Sequence, residues 1–234
     1  MMRRFYKTAG VIARPDGRYG IALDGKPLKT PARHDHAVPT RALAQAIAEE
    51  WEAQEKDIRP ATMPLTTLAA TTLDRVNGLR EAVINDLLAF ARTDLVCYRA
   101  EHPAALVELE RKSWDPLLAW LARRYDIALE VTQGIIAIAQ SDTALSRLAS
   151  VLAANDDFRL AALHALTTGS GSLVIGLAAL SGEIDAETTF LLGQLDELYQ
   201  AEKWGVDSEA DQRRAALRAD IGATLRFVSL LGDR

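Results

Sequence analysis

A single cysteine, Cys97, stands in the 234 residues, and one thiol cannot build an intrachain disulfide framework, so a packed core in a reducing compartment has to hold the fold. Cys97 reads as part of that core. A basic excess is also lacking: 27 Lys and Arg against 32 Asp and Glu leave a formal net charge of -5. That balance excludes a general nucleic-acid binder, because nothing offsets phosphate repulsion. No apolar run of signal-peptide length follows the short basic cluster in MMRRFYKTAG, and that start lacks the long Arg- and Ser-rich pattern of a mitochondrial presequence. The expected location is the bacterial cytoplasm, or the mitochondrial matrix if the chain is a mature form. The charge-free stretch from Leu160 to Gly182 has the length of a membrane span. His164 and the polar TTGSGS insert divide it, so a buried helix pair is expected and membrane insertion is not.

Recognisable catalytic sets are missing too. Gly169, Ser170, Gly171 and Ser172 resemble a phosphate loop, but no Gly-Lys-Ser/Thr follows and no strand precedes them, which leaves a flexible hinge. The residues two away from Ser170 are Thr168 and Ser172, not the glycines of a nucleophile elbow. His34 with His36, and Cys97 with His102, lack the further ligands at short spacing that a metal site needs. His164, amid apolar neighbours, reads as a hydrogen-bonded core histidine. These absences favour a binding role over catalysis.

What is present is an ordinary globular composition, 49% hydrophobic and 25% charged, in a chain long enough to bury roughly 70% of its unfolded surface. From Arg4 to Val38 the punctuation is that of strands and tight turns, with Pro15, Asp16 and Gly17 between FYKTAGVIAR and RYGIALD and a second turn at Asp24 and Gly25. Thr40 caps a helix whose Leu43, Ile47 and Trp51 recur at helical spacing; Trp51 is expected to pack two domains together. DIRPATMP, broken by two prolines, is a connector. The expected class is therefore α+β: a small N-terminal β-rich domain with one helix over 1–60, followed by a larger all-helical domain over 61–234.

Within the second part, Leu65, Leu68, Leu73 and Val76 predict one helix, and Ile84, Leu87, Leu88 and Ala91 another. Asp115 and Pro116 predict a fresh helix through LLAWLARRY rather than a continued one. IALEV and IIAIA predict a small hairpin around Gly134. Ser141 and the Asp156–Asp157 pair predict helix starts. A final helix, capped by Asp207 or Ser208, should face Leu217, Ile221, Leu225 and Val228 inward.

The densest mixture of carboxylates and aromatics lies in LLGQLDELYQAEKWGVDSEA, from Leu191 to Ala210. Leu191, Leu192, Leu195, Leu198 and Tyr199 form one apolar stripe of a helix, and Glu202 continues it with a carboxylate where an apolar residue is the ordinary choice. Glu197 and Trp204 are seven apart, nearly in line two turns apart. An aromatic beside an acid on a polar face has the look of a protein-binding patch. The competing reading has Glu202 mark the helix leaving the core and Trp204 fold back into it.

Several segments occur together and in order: RFYK at Arg4, LDGKPLKTPA at Leu23, AEEWEAQ at Ala48, MPLTTLA at Met63, TDLVCYRA at Thr93, WDPLLAW at Trp114 and LDELYQAEKWGVDSEA at Leu195. Together they closely resemble the chaperone family that assembles the F(1) sector of ATP synthase, the assembly factor that attends the alpha subunit. The chain departs from that pattern at Thr67 and Ala70, where arginine and asparagine are expected. The resemblance implies a β-rich domain followed by a helical one. It also implies a chain that binds the unassembled alpha subunit and covers the surface the beta subunit will later occupy, with no reaction catalysed and no cofactor; a monomer is expected, but not from the resemblance. Under it, Glu197, Glu202, Trp204, Asp207 and Glu209 become partner-binding residues. The alternative of another class is a small-molecule enzyme with a pocket between the two domains.

Overall fold

The computed structural model describes residues 2–134, 137–205 and 208–232, and the fold is α+β, with a small sheet region leading into helices. In chain order the elements are β1 (Met2–Arg3), β2 (Ala9–Ala13), β3 (Tyr19–Leu23), β4 (Lys26–Pro27), β5 (Ala37–Val38), α1 (Arg41–Glu52), β6 (Asp57–Ile58), α2 (Pro64–Thr71), α3 (Asn77–Arg92), β7 (Tyr98–Arg99), α4 (Ala104–Tyr125), β8 (Thr132–Gln133), α5 (Asp142–Ala153), α6 (Asp157–Ser170), α7 (Leu173–Leu180), α8 (Ala186–Gly193), α9 (Leu195–Trp204) and α10 (Ser208–Leu230). They pack as two compact units, residues 1–80 with 223–234, and residues 81–222.

In the first unit the β2–β3 hairpin turns where Pro15, Asp16 and Gly17 predict it, with Ala13 opposite Tyr19. Asp16 accepts from the Arg18 amide at 3.1 Å, and Gly17 takes φ +79°, which a side chain resists. The second turn sets Leu23 against Lys26, and β3 also pairs with β5. The Thr40 hydroxyl accepts from the Leu43 amide at 3.2 Å, the cap that the sequence predicts. The α1 stripe of Leu43, Ile47 and Trp51 is buried. Trp51 packs inside this unit, its ring 5.6 Å from that of Tyr6, whose hydroxyl donates to the Trp51 carbonyl at 2.6 Å.

Packing carries the first unit past the change of element type near residue 60. Glu50 on α1 accepts from the amides of Leu65 and Thr66, each at 2.8 Å, and so caps α2. The division at 60/61 stands as a proposal about folding units. The helix predicted from Leu65 to Val76 is α2 continued by a π turn over Thr72–Val76, and α3 follows with Leu79 off helical geometry.

In the second unit α4 runs unbroken through Pro116, which corrects the expected new start. Leu106, Glu110, Trp114, Leu117 and Leu121 are all buried on one continuous face, and that packing outweighs the hydrogen bond a proline removes. Gln133 and Thr132 pair in parallel with Arg99 and Tyr98, so the stretch before Gly134 joins an earlier strand instead of the expected hairpin; Ile135 and Ile136 lie outside the described residues.

The Ser141 and Asp156 side chains cap α5 and α6 as predicted. The TTGS sequence is helical, and the break falls at Gly171, where φ is +73°, and the extended Ser172 that caps α7. Helices α6 and α7 form the buried pair; a Cβ on Gly176 would come within 2.6 Å of Thr167 Oγ1, so glycine sets how closely they approach. No described helix is long and apolar enough to cross a membrane. His164 is a surface residue paired to Asp86 at 2.6 Å rather than a core histidine. Cys97 is buried, and burial pushes its thiol up to about 12. Along α10 the buried residues are Ile221, Thr224 and Phe227, while Leu217, Leu225 and Val228 are half-buried.

Candidate functional site

The apolar stripe expected on one helix is built from two. Helix α8 ends at Gly193, where a Cβ would meet the Ser170 Cα at 2.8 Å. Backbone thus presses on backbone there, and α9 restarts at Leu195 after Gln194 leaves helical geometry (φ -112°, ψ 15°). The junction is tied down by the Trp114 indole, which donates to the Leu192 carbonyl at 3.1 Å.

The break preserves the grouping. Leu191, Leu192, Leu195, Leu198, Tyr199 and Glu202 line one shallow groove of about 260 Å³, completed by Leu109 and Ser113 of α4. Leu195 is its buried floor, while Leu109 and Leu191 are 40% and 45% exposed. Glu202 is an exposed carboxylate on a lining made mostly of leucines. Lys203 sits 5.6 Å from the Tyr199 ring.

Of the remaining predicted residues, the described ones lie on α9 and α10. Glu197 is exposed on α9, and Trp204 is 79% exposed, so Trp204 does not fold back into the core. Neither lines the groove; seven residues apart, they share the adjoining face of α9. Glu209 lies on the first turn of α10 and pairs with Arg213 at 3.4 Å. Asp207 lies outside the described residues. Leu109 and Ser113 were missed from sequence, since nothing in the α4 pattern separates an exposed leucine from its buried neighbours.

Beneath the groove α9 meets α4 through charge. Glu110 of α4 is 1% exposed; burial pushes its carboxyl up to about 7, and the neighbouring Asp196 carboxyl adds to the rise. Burial likewise raises Asp196, on the first turn of α9. Two such carboxyls share a proton more readily than they both ionise. Arg99 is next to them, its guanidinium 5.2 Å from the Trp114 ring and 3.0 Å from Asp115. Among the described residues no three His, Cys, Asp or Glu side chains gather as metal ligands would.

Groove and face can therefore offer an apolar seat with acidic and aromatic surroundings. Comparison with known proteins places this arrangement in a context. The family profile described as ATP12 chaperone protein matches residues 3–122. The Schizosaccharomyces pombe protein atp12, mitochondrial, is 26% identical over 222 residues, 90% of this chain and 76% of that one. The crystal structure of Atp12 from Paracoccus denitrificans is 40% identical and superposes with a TM-score of 0.93 over 98% of both chains. The Atu1473 protein of Agrobacterium tumefaciens is 37% identical with a TM-score of 0.94, over 98% of this chain and 86% of that one.

Proposed function

The chain belongs to the ATP12 chaperone family, and from that premise we propose that it is an assembly chaperone for the F(1) sector of ATP synthase. It binds the unassembled alpha subunit and masks the surface that faces the beta subunit until the hexamer forms. It does so as a monomer, in the bacterial cytoplasm or the mitochondrial matrix.

The observation that carries this reading is the groove between α4, α8 and α9, whose leucines at 109 and 191 stay open to solvent while Trp204 stands 79% exposed beside it. An orphan subunit interface is apolar with a charged rim and aggregates when bare. A modest apolar seat with Glu202 on its lining, and Glu197 and Trp204 on the adjoining face of α9, matches such a rim by shape and opposite sign; Asp207 and Glu209, next along the chain, are assigned to the same partner. It also leaves the contact small enough to release.

The test is direct. Purified chain mixed with unassembled alpha subunit at micromolar concentration, without nucleotide or metal, forms a stable complex and keeps the subunit in solution. An alpha subunit that precipitates as fast with the chain as without it rules the reading out.

A further inference from the structure

The first unit contains a pocket of about 570 Å³, separate from the α9 groove, whose walls include Leu28, His36, Trp51, Ile58, Met63 and Ala70. His36, Trp51, Ile58 and Met63 are all more than nine-tenths buried, so the pocket reaches into the core of its unit. Its volume is that of a ligand site, about 300 to 1,000 Å³. One wall runs from α2 into the π turn at Thr72–Val76, and π turns occur often at functional sites.

Two polar atoms of these lining residues have no partner. Trp51 Nε1 and His36 Nδ1 are buried without a hydrogen bond, a state that buried polar atoms rarely keep. The indole nitrogen only donates. His36 Nε2 lies 3.3 Å from the Thr66 carbonyl, so Nε2 carries the proton and Nδ1 is left as an acceptor. Burial holds the imidazole below its usual range, which keeps the ring neutral. Of the three charged side chains in the lining, two are engaged: Asp74 accepts from the Thr30 hydroxyl, the Ala32 amide and His34, and Lys29 pairs with Asp35; the third, Arg75, is exposed to solvent. A fitting ligand brings one acceptor and one donor set in apolar matter. A peptide group beside an aliphatic side chain is that ligand.

We infer that this pocket is a second polypeptide-binding site, taking an apolar side chain together with main-chain groups whose carbonyl accepts from Trp51 Nε1 and whose N–H donates to His36 Nδ1. In naming a protein segment as occupant it rests on the chaperone reading. Its test uses the chain alone, so it stands or falls whatever happens with the alpha subunit.

The experiment is a titration of the full chain with N-acetyl-leucyl-leucine amide, followed through the indole N–H signals of its four tryptophans, assigned through bonds. The Trp51 indole proton moves downfield more than any other, saturates in the millimolar range, and the Trp204 signal stays in place. Ala70→Phe, which fills the pocket, removes the shift while the melting temperature holds. A still Trp51 signal up to tens of millimolar peptide overturns the site. An equal shift with 4-methyl-1-pentanol, which has no peptide group, overturns the polypeptide assignment, as does a shift that survives Ala70→Phe.

Discussion

The indole Nε1 of Trp114, in the middle of α4, donates to the carbonyl of Leu192 at 3.1 Å, at the end of α8 where helical carbonyls run out of partners. This bond ties the end of α8, and with it the start of α9, to α4. Trp114 is fully buried. Trp114→Phe keeps most of the packing and loses the donor, so its cost is about 0.5 to 1.5 kcal/mol; Trp114→Ala costs about 3 to 5 kcal/mol. Urea unfolding measures both, and equal losses for the two variants would show that the hydrogen bond, not the ring, dominates.

Gly193→Ala tests the same junction from the other side. The added Cβ meets Ser170 Cα at 2.8 Å and Ser170 Cβ at 2.9 Å, contacts that no rotamer change relieves in full. Overpacking of this kind costs roughly 1 to 3 kcal/mol. Adding Ser170→Gly removes only the Cβ contact, so thermal melting of the double variant recovers part of the loss and not all of it.

The buried carboxyl pair makes stability depend on pH in a defined direction. Burial lifts Glu110 from 4.5 to about 7 in the folded chain, so the folded state binds the proton more tightly than the unfolded one. The stability this contributes is full below the unfolded value and drains away as pH climbs through about 7. Melting temperature therefore falls between roughly pH 5 and pH 8, by about 2 to 4 °C for each kcal/mol involved in a chain of this size. Glu110→Gln flattens that slope. A wild-type slope retained in the variant would assign the effect to another group, of which Asp94, buried and lifted to about 6, is the first to examine.

At the proposed binding face, Trp204→Ala leaves the melting temperature unchanged because the side chain is already 79% exposed. As an interface anchor it weakens alpha-subunit capture by about 2 kcal/mol, roughly 30-fold in Kd. Glu202→Lys slows association, and does so more at low than at high ionic strength. Undiminished capture across reversals of Glu197, Glu202 and Glu209 would remove this patch from the account.

Trp51 behaves in the opposite manner. It is 8% exposed and packed on Tyr6, so Trp51→Ala costs about 3 to 5 kcal/mol and lowers capture mainly by unfolding the first unit. A circular-dichroism melt identical to wild type, with capture gone, would show that its role is contact instead.

The sequence displayed those parts of the fold that local chemistry dictates. The Pro15–Gly17 turn, the Thr40 cap and the α6–α7 pair each rest on residues within a few positions of one another. Pro116 misled because its local penalty is visible while the burial of Trp114 and Leu117 on either side of it is not. The groove was half legible. The Leu191–Glu202 stripe could be read along the chain, but Leu109 and Ser113 come from a helix some 80 positions earlier. The break at Gln194 arises from contact with Ser170, which no spacing announces. The pocket of the first unit was hidden for a related reason: Trp51 sits on an ordinary apolar stripe, and only the assembled walls leave its nitrogen unmatched.

The Thr40 hydroxyl that caps α1 also donates to the Leu230 carbonyl at 2.6 Å, and residues 223–234 belong to the same compact unit as residues 1–80. During translation, then, residues 1–80 have to wait until the stretch around Leu230 has left the ribosome before their unit can close. Until that moment the nascent chain carries the unit still missing a wall.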